Sequence, residues 1–424
     1  MISVFLNIEG QKHFVGRLLG QDSGNFFQYN PEFIATGLQI SPFYLPLNNT
    51  VFKAPASPFN ALHGVFADSL PDGWGLLLMD RFLRQKGINV KKLTALDRLL
   101  YIGSTGMGAL TYEPDYSEPS SGSSLDLFEL SQEASQVVAG KQQDILPELI
   151  KAGSSPGGAR PKVVVGIKDG QIISGERDLP DGYQAWIIKF HVSQNKDDEG
   201  LIEEAYARML RLAHINMPPT QLLAVKDKYY FAVKRFDRIN NQRLHVHSLA
   251  GLSNANFRVA DFDYEKLLRL TLLLTKNSDN AIQVYRQMVF NILANNQDDH
   301  TKNFSFIMDG KGTWQLSPAY DITFNYWHGG EQSMSVDGYG KNVPEHVFYN
   351  LGALCELDEQ GVRQVFTETF EALSQWRILA DELKIETQNR NEIQANFNNL
   401  FNQYHSMSTP YTTKPPQALK GGFL

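Results

Sequence analysis

The chain opens with a regular alternation of apolar and polar side chains. Ile2–Ile8 has the period of two that is typical of a half-buried strand, and residues 13–19 are its predicted antiparallel partner. Residues 76–85 follow a Pro-Asp-Gly turn and predict a helix that mixes apolar and basic side chains. A stretch rich in Pro, Ser and Gly lies at residues 114–124. We therefore predict a first α+β domain over residues 1–125.

A second group of apolar runs predicts a lobe that contains a sheet. Its predicted strands are residues 163–168, 171–174, 185–190, 221–225 and 229–235. Residues 127–150 are predicted to be mostly helical, and residues 201–214 form a helix with apolar side chains on one face. Together these elements make up a predicted second domain over residues 126–236.

The rest of the chain, residues 237–424, is predicted to be a mainly helical domain. Ile282, Tyr285, Val289 and Ile292 keep the 3.6-residue spacing of a helix. Further helices are predicted near residues 358–373, 374–384 and 388–405, followed by an extended tail at 408–424. The fold class predicted for the whole chain is α+β.

Composition restricts the classes of protein to which the chain can belong. Its 424 residues, 42% of them hydrophobic, are enough for two or three well-packed domains. The net charge of −7 gives no overall attraction to nucleic acid or to an anionic membrane. The single Cys355 excludes an internal disulfide and a cysteine-based zinc site. No signal peptide is recognisable and no apolar run approaches the roughly 18–20 residues of a membrane span, so we expect a soluble, cytoplasmic protein.

Acids and amides cluster directly after the helix that contains Ile292. Asp298 and Asn303 are five residues apart, which is the spacing of base and metal ligand in a protein-kinase catalytic loop, and Asp321 follows Asn303 by 18 residues. Two short predicted strands and a glycine-rich turn lie between Asn303 and Asp321. Such a hairpin would hold both side chains against one magnesium ion. The alternative is that these residues only cap helices and turns.

A glycine-rich loop at residues 151–162 is the second chemical signal. Gly157, Gly158 and Lys162 belong to it, and backbone amides followed by cations form an anion-binding concavity. The phosphates of ATP are the expected anion, with a flexible surface loop as the alternative. Residues 101–112 are also glycine-rich, but they lack the Gly-Lys-Ser/Thr ending of a P-loop, so we predict bulges and turns there.

Further residues fit a nucleotide-binding cleft. Lys189 lies among apolar residues in a predicted strand, where its charge needs a partner or an opening. Glu204 on the following helix can face the same cleft, as the strand Lys and helix Glu of kinases do; a solvated Glu beside a strand-end Lys is the alternative. Lys234 to Asp237 form a predicted crossover between lobes, where an adenine ring can hydrogen-bond to backbone.

Taken together, these motifs resemble those of the HipA family, which are serine/threonine kinases that act as toxins of bacterial type II toxin–antitoxin modules. The similar segments are Ser-Ser-Pro-Gly-Gly-Ala-Arg-Pro-Lys, Ile-Ile-Lys-Phe, Val-Lys-Arg-Phe-Asp-Arg, Asp-Asp-His-Thr-Lys-Asn-Phe-Ser, Ala-Tyr-Asp-Ile and, in the first domain, Ser-Leu-Pro-Asp-Gly. They are spread over nearly the whole chain. The resemblance implies a protein-kinase-like fold with two lobes and an extra N-terminal subdomain.

The resemblance also implies a role for each candidate residue. Asp298 would be the general base, and Asn303 and Asp321 would be the magnesium ligands. His300 or Lys302 would offset charge on the transferring phosphoryl group, with packing as an equal alternative for His300. The residues that would bind ATP are Gly157, Gly158, Lys162, Lys189, Glu204, Lys234 and Phe236.

Regulation and partners follow from the same resemblance. Ser155, or Ser154 beside it, would be autophosphorylated, and the added charge would compete with the phosphates of ATP and turn the kinase off. The acceptor would be a Ser or Thr of a protein such as an aminoacyl-tRNA synthetase. A HipB-like antitoxin with a helix-turn-helix fold would bind the chain and make most of the DNA contacts. Two other functions stay open, a small-molecule kinase on the same scaffold and a weakly active binding component of a repressor complex.

Overall fold

The computed structural model describes residues 1–118, 124–141, 146–153, 157–190, 198–326 and 328–408. Ser154 and Ser155 lie outside these residues, as do residues 409–424 of the predicted tail. The predictions made for them therefore stay predictions.

The N-terminal part is built on an antiparallel sheet of five strands. These are β1 (Ile2–Ile8), β2 (Gln11–Gln21), β3 (Gly24–Tyr29), β4 (Phe52–Lys53) and β5 (Leu110–Glu113), in the spatial order β4-β3-β2-β1-β5. The helices are α1 (Pro31–Thr36), α2 (Gly64–Ala67), α3 (Gly73–Gln85) and α4 (Ala95–Ile102). The prediction for β1 is confirmed, because its residues alternate between buried and half-buried along its whole length. Helix α3 begins three residues before the predicted start.

The middle part contains a second antiparallel sheet of five strands. Two helices come first, α5 (Leu127–Val138) and α6 (Pro147–Gly153), where a single mostly helical stretch was predicted. The strands are β6 (Lys162–Lys168), β7 (Gln171–Ser174), β8 (Gln184–Lys189), β9 (Thr220–Val225) and β10 (Lys228–Lys234), in the order β7-β6-β8-β10-β9. Helix α7 (Glu199–Leu212) connects β8 to β9 and packs against β9 and β10.

The C-terminal part is mainly helical, as predicted. Its short strands are β11 (Arg238–Ile239), β12 (Gln242–Arg243), β13 (His245–Ser248), β14 (Ser305–Met308) and β15 (Trp314–Leu316). Its helices are α8 (Leu249–Ser253), α9 (Tyr264–Thr275), α10 (Ser278–Leu293), α11 (Glu345–Leu354), α12 (Glu359–Ser374), α13 (Trp376–Glu382) and α14 (Thr387–Tyr404). Strands β14 and β15 form the predicted hairpin, and β13 pairs with β14. Among the described helices, none combines the length and apolar composition needed to cross a bilayer.

Two apolar cores each contain side chains from more than one of these three parts. The larger core joins Leu6 of β1 to Met288 of α10, and the smaller one joins Trp74 of α3 to Val163 and Ile188 of the second sheet. Helix α3 therefore belongs to the N-terminal part of the chain but packs on the middle sheet. This placement brings the start of α3 next to the glycine-rich loop.

The single cysteine follows directly after α11. Cys355 is fully buried, and its Sγ lies 3.6 Å from the carbonyl oxygen of Leu351, to which it donates a weak hydrogen bond. Burial raises the pKa of Cys355 to about 12. The thiol is therefore protonated at neutral pH and packs as a small apolar group.

Candidate active site

A cavity of about 610 Å³ lies where the three parts of the chain meet. The predicted site residues that line it are Asp298, His300, Lys302, Asn303, Asp321, Gly157, Gly158, Lys162, Lys189, Lys234 and Phe236. Glu204 does not line it. Segments that are far apart along the chain thus converge on one space, which is the arrangement that a two-lobed nucleotide site requires.

Buried Asp299 anchors the segment that carries Asp298. It accepts hydrogen bonds from the hydroxyl of Tyr264 at 2.6 Å, from Nε2 of Gln332 at 3.0 Å and from the backbone amide of Ser333 at 2.8 Å. Burial raises the pKa of Asp299 to about 7, although these hydrogen bonds act in the opposite direction. Two neighbouring aspartates thus have separate environments, one fixed inside the lobe and the other at the cavity.

Asp298 has a carboxylate oxygen without a hydrogen-bond partner in the described part of the chain. Its Oδ1 is buried and has no hydrogen-bond partner among the described residues, while Nε2 of His300 lies 3.8 Å away. The amide nitrogen of Asn303 donates to the backbone carbonyl of Asp298 at 2.7 Å, which fixes the two residues relative to each other. Burial, together with the charge of Asp321, raises the pKa of Asp298. Such an acceptor with a raised pKa has the properties of a general base.

Lys189 is paired with two carboxylates. Its Nζ lies 2.6 Å from Oδ1 of Asp321 and 2.9 Å from Oε2 of Glu203. The prediction that Glu204 is the helix partner of Lys189 is therefore wrong, because Glu204 pairs with Arg208 at 2.8 Å. Helix α7 is buried on most of its circumference, so both neighbouring glutamates find buried partners in different directions. The charge of Lys189 holds the pKa of Asp321 well below its usual range.

The ends of β6 and β8 bring two lysines together. Lys162 and Lys189 are directly opposite each other in the strand register. Like charges in this position repel, and Asp321 and Glu203 offset the repulsion. Nζ of Lys162 donates to the carbonyl oxygen of Gly157 at 2.7 Å, and burial lowers the pKa of Lys162. Two buried ammonium groups beside a glycine loop form a suitable site for an anion.

The crossover between lobes follows β10. The backbone amides of Lys234 and Arg235 donate to the carbonyls of Pro219 and Ala185, each at 2.9 Å, so neither amide is available to a ligand. Phe236 packs against Tyr320 with 5.6 Å between ring centroids, and both line the cavity. Phe236 is thus the candidate contact for a base at this position.

A buried ionic cluster holds the crossover to the N-terminal part. Asp237 accepts two hydrogen bonds from Arg235 and one from Arg238, and also accepts from the backbone amide of Gly108 at 2.8 Å. Although burial alone would raise it, the two guanidinium groups hold the pKa of Asp237 well below its usual range. The glycines of the stretch at residues 101–112 therefore lie in turns between α4 and β5, against the crossover, as predicted, and Gly108 has a φ of +74°.

Arg160, Glu203 and Asp72 had no predicted role in the site. Arg160 donates to Oε1 of Glu203 at 2.8 Å, and Asp72 forms an ion pair with Lys302 at 2.7 Å. Arg160 lies within the glycine-loop motif, and Asp72 is the acid of the Ser-Leu-Pro-Asp-Gly motif. Both motifs are recognisable in the sequence. The spacing of residues along the chain does not show that the charged side chains of both motifs reach the same cavity.

Two protein-family models match the chain. The HipA-like C-terminal domain matches residues 154–377, and the HipA N-terminal domain matches residues 6–113. The first match alone spans more than half of the chain. The chain belongs to the HipA family.

Curated relatives of this HipA-family chain share shorter regions with it. It is 27% identical over 208 residues to Y4dM of Sinorhizobium fredii, described as a candidate kinase, covering 44% of this chain and 50% of that protein. It is 25% identical over 135 residues to a Haemophilus influenzae protein of the same description, covering 28% of this chain and 39% of that protein. The chain thus spans half or less of the length of these relatives.

A solved structure shows the fold of the HipA family over nearly the whole chain. The structure is that of the Shewanella oneidensis toxin–antitoxin system, a complex of HipA, HipB and operator DNA, and its match has a TM-score of 0.71 at 15% sequence identity. The match covers 96% of this chain and 97% of that one. The predicted α+β, protein-kinase-like fold is confirmed.

Proposed function

We propose that this HipA-family protein is an ATP-dependent kinase that phosphorylates a serine or threonine of a protein. The observation that carries the proposal is the environment of Asp298, whose buried Oδ1 lacks a hydrogen-bond partner among the described residues and lies in a cavity also lined by Lys189 and Asp321. Buried polar atoms are normally paired, so such an acceptor in this position indicates a site for a ligand. The curated relatives, which are described as candidate kinases, support kinase activity but do not bear on the acceptor.

Phosphates of ATP would bind at the paired lysines. Lys162 and Lys189 would contact them, and the base would lie against Phe236 and the apolar side chains of the second sheet. The described residues contain no cluster of three or more His, Cys, Asp or Glu side chains suited to a metal ion. Asn303 and Asp321 offer one amide and one carboxylate, which suits magnesium when phosphates and water complete its coordination. When bound, the ion would neutralise charge on the β- and γ-phosphates.

Asp298 would act on the acceptor hydroxyl. The hydroxyl oxygen forms a bond to the γ-phosphorus while the bond from that phosphorus to the β–γ bridging oxygen breaks, and ADP leaves. The hydroxyl proton passes to the carboxylate of Asp298, which lines the cavity. His300 and Lys302, which line the same cavity, would place positive charge near the transferring group.

Phosphate transfer tests the proposal directly. The protein is incubated with magnesium, ATP labelled at the γ-phosphate and a bacterial lysate, and the products are separated by size. We expect labelled protein bands that are lost with Asp298→Asn and retained with Asp227→Asn, a change in the exposed turn between β9 and β10. Label that appears only in a small molecule would instead indicate a small-molecule kinase. Bound ATP without any labelled product would indicate a binding component.

Autophosphorylation is proposed at Ser155, with Ser154 as the substitute. The proposal depends on the family resemblance and on the nearness of Gly157 and Lys162 to the cavity. Phosphopeptide mapping after incubation with ATP should find a phosphate on one of the two serines, and Ser155→Ala should move or remove it. An unmodified loop in active protein would contradict this part of the proposal.

The proposed partner is a small antitoxin with a helix-turn-helix fold. In the Shewanella complex, HipA is assembled with HipB and operator DNA. The net charge of −7 on this chain favours DNA contact chiefly through such a partner. Co-expression with a HipB-like antitoxin, followed by size-exclusion chromatography with operator DNA, should give a ternary complex, whereas the isolated chain should bind DNA weakly.

A further inference from the structure

The N-terminal part of the chain contributes a carboxylate to the nucleotide site. Asp72 directly precedes α3, and only 15% of its side chain is exposed. It accepts a hydrogen bond from the backbone amide of Gly158 and one from Nζ of Lys302 at 2.7 Å. Although burial opposes it, these contacts hold the pKa of Asp72 below its usual value, with Lys302 the main cause. One side chain thus joins the glycine loop to the segment that carries Asp298.

The backbone of α3 also contacts the glycine loop. The amide of Trp74 donates to the carbonyl of Gly158, and Nε1 of Trp74 donates to the carbonyl of Lys162, both at 3.0 Å. Gly73 has a φ of +43°, and a Cβ at this position would lie 2.6 Å from the oxygen of Gly158. The first turn of α3 therefore lies directly against the loop, without room for a side chain between them.

We infer that Asp72 is a positioning residue of the nucleotide site, and that the N-terminal part of the chain is needed for ATP to bind tightly. The inference rests on the proposed function for the identity of the ligand. Gly158 and Lys302 belong to segments that are far apart in sequence, and Asp72 fixes the separation between them. Without this acceptor two partly buried donors lose their partner, so the loop or the lysine is no longer held in place.

A purely structural role for Asp72 makes a different prediction. Loss of a structural ion pair lowers the free energy of unfolding but leaves the affinity of the folded protein for ATP unchanged. Loss of a positioning contact lowers that affinity under conditions in which the protein is fully folded. The dissociation constant for magnesium-ATP, measured by calorimetry on the full chain, separates the two roles.

Asp80 supplies the matched control. It lies within α3, forms an ion pair with Arg98 at 2.6 Å, and does not line the cavity. We expect Asp72→Ala to weaken ATP binding about tenfold, as is typical for loss of a charge-assisted hydrogen bond. Asp72→Asn should weaken it only about threefold, since its carbonyl oxygen still accepts from the amide of Gly158. Asp80→Asn should bind ATP as the unaltered chain does.

The experiment has outcomes that contradict the inference. A folded Asp72→Ala protein with unchanged ATP affinity would overturn it, and so would equal effects of Asp72→Asn and Asp80→Asn. If Asp72→Ala fails to fold, Asp72→Asn decides, because it keeps the size of the side chain. Combining Asp72→Asn with Lys302→Met should give a smaller loss than the sum of the two single changes, because the residues act through one contact.

Binding and transfer are measured separately, so the two proposals can fail independently. A chain that binds ATP but labels no acceptor contradicts the kinase proposal and leaves the role of Asp72 to be decided by affinity. A chain that binds no ATP contradicts both.

Discussion

Nζ of Lys189 lies 2.6 Å from Oδ1 of Asp321, although 132 residues separate the two along the chain. Lys189 ends β8 of the second sheet, and Asp321 follows the β14–β15 hairpin of the helical part. Asp321 has a φ of +56°, a left-handed conformation that is uncommon for non-glycine residues but that aspartate tolerates better than most. This ion pair therefore joins the two lobes across the cavity and places the carboxylate next to the proposed phosphate site.

Neighbouring glutamates on α7 should differ in their effect on nucleotide binding. Glu203→Gln removes a charge that lies 2.9 Å from Nζ of Lys189, so the lysine loses one of its two anionic partners. We expect ATP affinity to fall about tenfold, as for other losses of a buried charged hydrogen bond. Glu204→Gln, one residue away, should leave affinity unchanged because Glu204 pairs with Arg208. Equal effects in a titration with magnesium-ATP would show that Lys189 is not held in place by Glu203.

The pH dependence of transfer should report the ionisation of Asp298. Burial raises its pKa above the ordinary 3.8, and a general base acts only when it is deprotonated. We therefore expect kcat/KM to rise with pH until Asp298 is ionised, and the acid limb to lie at higher pH than an ordinary aspartate would give. The check is a pH–rate profile on the unaltered chain and on Asp298→Ala. If the residual activity of Asp298→Ala falls at low pH in the same way, the acid limb reports the ionisation of another group.

The ionic cluster at the crossover should be important for stability. Asp237→Asn leaves Arg235 and Arg238 buried without their anion, and breaking a buried ion pair in this way costs about 3–5 kcal/mol. Glu113→Gln is the control, since Glu113 pairs with Lys12 and about half of each side chain is exposed (47% and 50%), and an exposed pair contributes about 1 kcal/mol or less. Urea unfolding of both variants measures the difference. Similar free energies of unfolding would mean that the cluster adds no stability beyond an exposed pair.

The same cluster sets the direction of a pH effect on stability. The folded-state pKa of Asp237 lies below its unfolded value, so its contribution is present above the ordinary carboxyl pKa and is lost as pH falls through the folded value. Stability of the unaltered chain should therefore decline on acidification below about pH 4 more steeply than that of Asp237→Asn.

Much of the fold and of the site could be predicted from local pattern. The alternation of apolar and polar residues predicted both ends of β1 correctly. The five-residue spacing of Asp298 and Asn303 identified two residues that line the same cavity. These predictions succeed because strand alternation and catalytic-loop spacing are determined by residues close together in sequence.

Other features depend on contacts that local pattern does not reveal. Glu203 and Glu204 differ by about 100° around α7. Because this helix is buried on most sides, the position of its apolar face does not show which of the two contacts a lysine. Asp72 acts through Gly158 and Lys302, which are 86 and 230 residues away. Such partners become visible only once the three parts of the chain are placed together.

The buried thiol of Cys355 makes the folded chain suitable for site-specific labelling. Thiol reagents attack the thiolate, which this residue does not form near neutral pH, and packing blocks their approach. A dye attached through Gly157→Cys would therefore report from the glycine loop without background from the native cysteine. Its fluorescence could follow, in solution and over time, whether the loop separates from the start of α3 when nucleotide arrives.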